Sequence, residues 1–341
     1  MQMRGSASEI AECLHGARLP PECQLNPSCQ RQPRPQNLYR RVSQKFCISR
    51  CRNHRICYIA YPLNLRPGDV VVRTAAATSS RIVDRKFLIT QLRRCGTCQL
   101  LFRTPTDRPE SNQAYYENEY VQGFTTNLPS DAALSEMKRS NFANTDKCFS
   151  YYISVLLQLS LKPGSRLFDY GCSWGYGSYQ FAQAGFDVSA FEVAPTRRRF
   201  AHGKLGVRTF DDMERVVVDL AGQVDCFFSA HVLEHVPAPS KSFRYAMRLL
   251  KPGGLFISFT PNGSEAHRAA SPDWSKAWGE VHPQFIDDMF LDQSFRLSPR
   301  AVGSSPVGNI SLPVECRLNR VDKLTGGELV FAARKIGELW G

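Results

Sequence analysis

The chain has 341 residues, of which 43% are hydrophobic and 11% aromatic, so it has enough apolar side chains for a sizeable core and is not a mostly disordered protein. No apolar run approaches the ~20 residues of a membrane span, and no secretory signal is recognisable at the N-terminus, so we expect a cytoplasmic protein. The net charge of +12 is uneven: residues 1–108 carry 19 Lys and Arg against 6 Asp and Glu, whereas residues 109–341 carry 24 against 25. Two chemically different segments are therefore joined near residue 108.

Residues 1–45 are rich in Pro, Gln and Arg and show no helical or strand period, which predicts a disordered basic tail. Such a tail is either a solvated extension or a surface for nucleic acid or another acidic partner. Few aromatic side chains separate its charges, and stacking on bases needs aromatic side chains. The sequence therefore favours the solvated extension.

Short strands are predicted within residues 46–108, because the segments Asp69–Arg73 and Arg85–Thr90 are rich in strand-forming residues. Eight of the 12 cysteines lie at or before Cys98. Without an export signal, reduced thiols or a metal site are a better interpretation of these cysteines than a disulfide framework. The aromatic and acidic run Tyr115–Tyr120 follows, and it either covers an acceptor or packs between two domains.

From residue 131 the pattern becomes helical, through Tyr151–Leu161, and it then alternates between strand and helix. This alternation is typical of a parallel α/β sheet. Strands are predicted at 166–170, 186–192, 207–210, 225–229, 255–260 and 328–334, and helices at 177–184, 195–205, 240–250 and from Ile286. Lys251–Gly254 is expected to end the helix at 240–250 before the strand at 255–260 begins.

The most informative segment is the glycine-rich turn between the strand at 166–170 and the helix that follows. Gly171 and Gly175 let the backbone approach a ligand closely, since a Cβ at either position would collide with it. Glu192 lies at the end of the next strand, where a carboxylate can accept both ribose hydroxyls of a nucleoside.

The turn does not match the dinucleotide fingerprint G-x-G-x-x-G, because Ser173 and Tyr176 occupy the later glycine positions. Asp169, two residues before the first glycine, would repel a pyrophosphate but suits a ligand with a cationic amine and a sulfonium. These residues disfavour a nicotinamide enzyme.

Four ordered motifs, Phe168–Gly175, Phe191-Glu192, Val224–Val236 and Leu249–Ser258, resemble those of the class I S-adenosylmethionine-dependent methyltransferases. The resemblance covers residues 131–341 and implies a doubly wound, Rossmann-like α/β domain with a seven-stranded sheet and S-adenosylmethionine as cofactor. By this resemblance, the methionine part of the cofactor is surrounded by Asp169, Gly171, Ser173 and Gly175, and the ribose is held by Glu192. Asp211 or Asp212 is expected near the adenine, and Ala230 and His231 are expected to face the cofactor. Cys172 and Val193 are further cofactor-binding candidates.

His231, Glu234 and His235 form the pattern H-x-x-E-H, which one helical turn would bring onto adjoining faces. His231 and His235 are candidates for a catalytic base. The pattern is also similar to the E-x-x-E-H metal site of some RNA-end methyltransferases, although His231 replaces the first Glu. A third interpretation is a loop cap beside the cofactor.

Glu280 and His282 are a second pair of catalytic candidates. They loosely resemble the Glu and His pair of the sugar C-methyltransferases, and a histidine suits the deprotonation of an acceptor. The alternative is a surface loop with a turn at His282-Pro283.

The turn Cys95–Cys98 with the apolar Leu100–Phe102 resembles the second half of a zinc ribbon that precedes some methyltransferases of sugars and other small molecules. The resemblance implies a small zinc-ribbon-like β module over residues 46–125, with Cys95, Cys98, Cys51 and Cys57 as metal ligands. The spacing of the first cysteine pair is irregular, so a decayed ribbon with ordinary buried thiols stays open.

The sequence thus predicts an enzyme that methylates oxygen, nitrogen or carbon of a small-molecule or sugar acceptor by in-line displacement. Two alternatives stay open. One is an RNA or other nucleic-acid methyltransferase that uses the basic segment, although the near-neutral second segment makes nucleic acid the less favoured partner. The other is a methyltransferase-like binding protein without catalysis.

Overall fold

A computed structural model of the chain describes residues 79–106, 127–279 and 282–336. All of these residues belong to one compact unit. The predicted tail at 1–45, the predicted strand Asp69–Arg73 and the tyrosine run Tyr115–Tyr120 lie outside them. Within the described ranges, no helix is long and apolar enough to cross a membrane.

The described residues form twelve strands and eight α-helices. The strands are β1 (Ser80–Lys86), β2 (Thr90–Cys95), β3 (Leu101–Thr104), β4 (Arg166–Tyr170), β5 (Asp187–Phe191), β6 (Arg208–Phe210), β7 (Val224–Ala230), β8 (Leu250–Pro261), β9 (Gln284–Phe285), β10 (Arg300–Ser304), β11 (Leu318–Arg320) and β12 (Glu328–Arg334). The helices are α1 (Asp131–Arg139), α2 (Ser150–Gln158), α3 (Tyr176–Gln183), α4 (Pro195–Leu205), α5 (Met213–Leu220), α6 (Pro239–Leu249), α7 (Glu265–Ala270) and α8 (Asp288–Ser294), with a short 3-10 helix at Trp274–Ala277.

The main sheet has eight strands in the order β11-β10-β12-β8-β7-β4-β5-β6. β4 to β8 run parallel, whereas β12 is antiparallel to both β8 and β10. The sheet has one strand more than expected because the short β11 pairs in parallel with β10. Strand order reverses at β4, which has β5 on one side and β7 on the other. The carboxyl ends of β4 and its neighbours therefore lie at the switch point of the sheet, the place where open α/β sheets bind ligands.

Apolar residues cover both faces of this sheet, as a parallel sheet between two helix layers requires. Successive residues of β7 show the pattern: Phe227 packs in one core cluster with Phe256, and Phe228 packs in the other with Phe259. The side chains of a strand alternate between its two faces, so adjacent phenylalanines enter opposite cores. Because both faces of the sheet are buried, the sequences of its central strands are almost continuous apolar runs.

Three predicted elements, the strands at 166–170 and 328–334 and the helix at 195–205, are confirmed to the residue. The strand predicted at Arg85–Thr90 is wrong, because Lys86 ends β1, Thr90 begins β2 and the three residues between them form the hairpin loop. The predicted end of a helix before Lys251–Gly254 is confirmed, since α6 ends at Leu249. The strand that follows begins earlier than predicted, because β8 starts at Leu250 and includes Lys251–Gly254.

A second, four-stranded sheet has the order β1-β2-β3-β9. Its last strand comes from the second half of the chain, and a buried ion pair 2.7 Å long joins Arg94 on β2 to Asp287 just after β9. Burial raises the pKa of Asp287 to about 6, although Arg94 opposes the shift. The N-terminal hairpin is thus fixed to the segment that carries His282.

Candidate active site

Asp169 is buried near the carboxyl end of β4, beneath the glycine-rich turn. The hydroxyl of Ser178 donates to its Oδ2 over 2.6 Å. Burial raises the pKa of Asp169 to about 7, the Ser178 hydrogen bond opposes the rise, and the nearby charge of Glu192 adds to it. The carboxyl group therefore titrates near neutral pH until a cation approaches it.

The turn after β4 depends on Gly171 and Gly175, which have φ of +88° and +87°. A Cβ on Gly171 would lie 2.4 Å from a methyl of Val232, and one on Gly175 would lie 2.8 Å from the Cβ of Ala201. Both glycines are therefore required by backbone conformation and by close packing together. Ser173 also has a positive φ, of 53°, which suits its place where glycine is usual in this turn.

Cys172 lies in the same turn and is buried. Burial raises the pKa of its thiol well above the ordinary value, and the charges of Asp169 and Glu192 add to the rise. The thiol is therefore protonated at neutral pH and is poorly suited as a nucleophile.

Glu192 follows β5 with its carboxylate held by two backbone amides. The Ser173 N–H donates to Oε2 over 2.9 Å, and the Ala194 N–H donates to Oε1 over 2.8 Å. Burial raises the pKa of Glu192, and these two hydrogen bonds oppose the rise. Each carboxylate oxygen can accept a second hydrogen bond, so two acceptor positions remain for a pair of ligand hydroxyls. Val193, the next residue, is half-buried.

The two acidic candidates after β6 differ in their surroundings. Asp211 is exposed and forms an ion pair with Arg198 over 2.9 Å. Asp212 is the N-cap of α5, where its side chain accepts from the Glu214 N–H over 2.8 Å. Because Asp212 already caps a helix, Asp211 is the better placed of the two for a ligand.

His231 follows Ala230, the half-buried last residue of β7, and lies between two carboxylates. Its Nε2 is 2.7 Å from Oε1 of Glu328, and its Nδ1 is 3.4 Å from Oε1 of Glu234. Burial opposes a charge on the imidazole, but the two carboxylates outweigh it and raise the pKa of His231 to about 10. An imidazolium with both nitrogens engaged does not accept a proton at neutral pH, so the geometry disfavours His231 as a base.

Residues 231–235 form a non-helical turn rather than the expected helical one, with the His235 N–H donating to the Val232 carbonyl over 3.0 Å. Glu234 is buried there and accepts from the Thr260 hydroxyl over 3.0 Å. Burial alone would raise the pKa of Glu234, but the neighbouring histidines lower it to about 2, so it is a carboxylate.

His282 approaches this turn from the segment before β9. Its Nδ1 lies 2.7 Å from the carbonyl oxygen of Ala277, and because a carbonyl oxygen can only accept, Nδ1 carries a proton. His282, His235 and Glu234 each offer one atom that could bind a metal, and these atoms lie within 4.8 Å of one another. Two imidazoles and a carboxylate can serve either proton transfer or a divalent cation. Glu280, the fourth catalytic candidate, lies outside the described residues.

The middle of the chain is similar in sequence to a known family. Residues 142–296 match the family model described as "Methyltransferase domain". The matched residues include the glycine-rich turn, Glu192, His231 and His282, so most of the site described above lies within the match.

Curated relatives that are similar to part of the chain share one name. Part of the chain is 39% identical to the ubiquinone biosynthesis O-methyltransferase of Xanthomonas oryzae pv. oryzae (strain PXO99A), over 31% of this chain and 46% of the relative. It is 36% identical to the enzyme of that name from Bordetella avium (strain 197N), over 29% of this chain and 44% of the relative. The match thus spans less than half the length of these relatives.

Solved structures with a similar shape include two methyltransferases of small molecules. The geranyl diphosphate C-methyltransferase of Streptomyces coelicolor A3(2) is 18% identical over 68% of this chain and all of that chain, with a TM-score of 0.41. The 1,6-didemethyltoxoflavin-N1-methyltransferase of Burkholderia thailandensis is 14% identical over 76% of this chain and all of that chain, with a TM-score of 0.42. Both TM-scores are below 0.5, so neither neighbour identifies an acceptor.

Glu328 is the site residue that sequence reasoning missed. Its Oε1 accepts from the Tyr152 hydroxyl over 3.0 Å, and its Oε2 accepts from the Ser305 hydroxyl. A signal was present in the sequence, because Glu328 is the first residue of the predicted last strand. That strand, β12, is antiparallel to β8, so it begins at the edge where the parallel strands end, with Glu328 opposite Pro261.

Proposed function

We propose that the chain binds S-adenosylmethionine in the crevice beside β4 and transfers its methyl group to a hydroxyl oxygen of a small-molecule acceptor. The observation that carries the proposal is the carboxylate of Glu192, held by two amides at the end of β5 with one lone pair on each oxygen left for a ribose. The name shared by the curated relatives supports an oxygen atom as the methylated position.

The residues around the crevice suit the parts of this cofactor. We assign the ribose hydroxyls to Glu192, and the methionine amine and sulfonium to the side where the buried carboxyl of Asp169 lies. A nearby cation favours the ionised form of a carboxyl group whose pKa burial has raised to about 7. The exposed Asp211 is placed to accept from the adenine amino group, with Val193 and Ala230 beside the rings.

His282 is the residue that we assign to proton transfer. When bound, the cofactor supplies an activated methyl group, whose carbon–sulfur bond breaks with its electron pair remaining on sulfur. His282 Nε2 takes the proton of the acceptor hydroxyl as the new carbon–oxygen bond forms, and the Ala277 carbonyl stabilises the imidazolium that results. The carboxylate of Glu234, near both His235 and His282, adds to this stabilisation.

His231 and Glu328 are positioning residues in this scheme. They join the end of β7 to the start of β12, and Glu328 is held by Tyr152 and Ser305. The ion pair fixes the turn that carries Glu234 and His235, so it acts on the reaction through those residues.

Calorimetry with S-adenosylmethionine and with its demethylated product tests the cofactor site. We expect micromolar affinity, about 8 kcal/mol, and at least a ~tenfold loss in Glu192→Gln, because the amide offers a single acceptor oxygen. Glu265→Gln, at an exposed residue of α7, is the matched control and should leave the affinity unchanged. Wild-type protein that does not bind the cofactor would refute the proposal.

Transfer of a radiolabelled methyl group to a panel of phenols, catechols and sugars tests catalysis. Product is expected with an acceptor that carries an acidic hydroxyl. Cofactor binding without methylation of any acceptor would instead identify a binding protein. Methylation of RNA would identify the nucleic-acid alternative.

The zinc ligands stay a prediction. Cys95 and Cys98 are half-buried at the turn after β2, and Cys51 and Cys57 lie outside the described residues. Zinc content of the purified chain, compared with that of Cys95→Ser, tests the site: about one zinc per chain, lost in the variant, is the expected result for an intact ribbon.

A further inference from the structure

The turn between β1 and β2 consists of three apolar residues, Phe87, Leu88 and Ile89. Their side chains are 92%, 98% and 72% exposed. Lys86 pairs with Thr90 across the hairpin, so all three residues lie in the loop and none belongs to a strand. Hairpin loops of this length normally contain Gly, Asn or Asp and other polar residues. A hairpin loop made of three apolar residues is therefore unusual.

The turn also adopts a backbone conformation that its sequence disfavours. Phe87 has a φ of 57°, a left-handed conformation that bulky residues rarely adopt. With so much of their surface exposed, the three side chains add little to the packing of the described fold. A backbone conformation that the local sequence disfavours, and that brings no gain in packing, is expected where function requires it. A contiguous group of exposed apolar side chains marks a contact with an apolar partner.

The charges next to the turn indicate what that partner is. Residues 79–106 contain six Lys and Arg and a single acidic residue, Asp84. Arg85 is exposed two residues before the turn, and Lys86 directly precedes it. The carboxylate of Asp84 accepts from the Trp278 indole over 3.0 Å and from the Arg85 backbone N–H over 2.8 Å, so its charge is partly neutralised. An apolar tip flanked by cations complements a surface with an apolar interior and an anionic face.

We propose that the β1–β2 turn inserts Phe87, Leu88 and Ile89 into the interface of an anionic phospholipid membrane, where Arg85 contacts the headgroups. Interfacial binding of this kind combines burial of apolar side chains with attraction of basic residues to anionic lipid. This role is independent of the methylation proposed above.

Co-sedimentation of the full chain with phosphatidylcholine vesicles, with and without phosphatidylglycerol, tests the proposal. We expect binding to the anionic vesicles, and a loss of at least ~tenfold in the partition coefficient for the triple variant F87S/L88S/I89S. The control V218S/V314S removes two exposed apolar side chains elsewhere, 80% and 92% exposed, and should bind like wild type. Undiminished binding of the triple variant, or equal loss in the control, would overturn the proposal.

A second measurement separates the turn from the basic segment at 1–78, which could attract anionic vesicles by charge alone. In the variant Leu88→Trp, lipids that are brominated on the acyl chains should quench the fluorescence of the introduced tryptophan. In the control variant Val314→Trp, these lipids should cause no more quenching than in the wild-type protein, which has only the native tryptophans. Equal behaviour of the two variants would show that the turn stays outside the hydrocarbon. The wild-type protein could instead form a dimer in the absence of lipid, and the triple variant F87S/L88S/I89S could be a monomer. That result would assign the turn to a contact with a second copy of the chain and overturn the membrane proposal.

Discussion

His231 Nε2 lies 2.7 Å from Glu328 Oε1, although 97 residues separate them in the chain. The contact joins the turn after β7 to the first residue of β12 at one edge of the main sheet. With Glu234 on the other side of the ring, His231 is an imidazolium between two carboxylates. Of its two partners, Glu328 is the one that the sequence motif does not contain.

Glu328→Gln should lower the pKa of His231 from about 10 toward its ordinary value, because one of the two carboxylates that stabilise the cation is removed. NMR titration of the imidazole measures the shift. Glu315→Gln, at an exposed residue far from His231 in the sequence, is the control. An unchanged His231 pKa in Glu328→Gln would contradict the charge assignment.

The same variant should also change stability with pH. A raised histidine pKa stabilises the fold fully below pH 6.5, and the contribution is lost as pH rises through about 10. We expect Glu328→Gln to lower the free energy of unfolding at pH 7 by ~1 kcal/mol, a value reduced for solvent screening because the His231 side chain is 48% exposed. The difference from wild type should shrink toward pH 10, as urea unfolding at several pH values will show.

Cofactor affinity should rise with pH and level off above about 7, because binding a cation favours the ionised form of Asp169. Calorimetry at a series of pH values, in buffers with different ionisation enthalpies, should detect proton release below that pH. Asp169→Asn should bind the cofactor more weakly and lose the rise. Asp187→Asn, at an exposed aspartate of β5, should behave like wild type.

Asp169→Asn should in turn stabilise the unliganded protein. A carboxyl pKa that burial has raised makes the folded state less stable as pH rises from about 4 to about 7, since the buried charge must form. At pH 8 the variant should therefore have a free energy of unfolding higher by ~1–3 kcal/mol. A variant that is less stable than wild type at pH 8 would show that the carboxylate is stabilised by contacts other than those described.

Gly171→Ala should destabilise the fold more than Gly253→Ala, although both glycines have a left-handed φ, +88° and +81°. The added methyl on Gly171 would meet Val232 at 2.4 Å, whereas the one on Gly253 would have no heavy atom of the described surroundings within 4 Å. We expect a loss of ~1 kcal/mol for Gly253→Ala from backbone strain alone, and ~3 kcal/mol or more for Gly171→Ala. Urea unfolding with unchanged m-values measures both; equal losses would mean that Val232 moves aside.

His282→Gln should reduce kcat by a factor of ~10²–10⁴ while the affinity for the cofactor stays unchanged, as expected for loss of a base. His267→Gln is the matched control, because His267 Nδ1 also lies next to a backbone carbonyl, that of Thr325, at 3.0 Å. The control should keep full activity. A different result would be that chelators abolish the activity of the wild-type protein and that added Mg²⁺ restores it. That result would instead assign Glu234, His235 and His282 to the binding of a divalent cation.

The cofactor half of the site was predictable because its residues follow one another along the chain. The turn from Asp169 to Gly175 and the acid at Glu192 lie at the ends of two consecutive strands, and parallel strands joined by a helix place their carboxyl ends together. Local spacing was therefore enough to propose a ligand site, and the resemblance of four motifs to the methyltransferases implied which ligand it holds. The same spacing did not predict which of Asp211 and Asp212 would cap α5.

The sequence by itself determined the alternation of strand and helix, the glycine-rich turn and the two carboxylates of the proposed cofactor site, since each depends on residues close together in the chain. Only the tertiary structure decided the other half of the site. It placed Glu328 against His231 by running β12 antiparallel, and it joined Asp84 to Trp278 across 194 residues by pairing β3 with β9. Periodicity fixes which face of a strand is buried, whereas the order and direction of strands follow from packing of the whole chain.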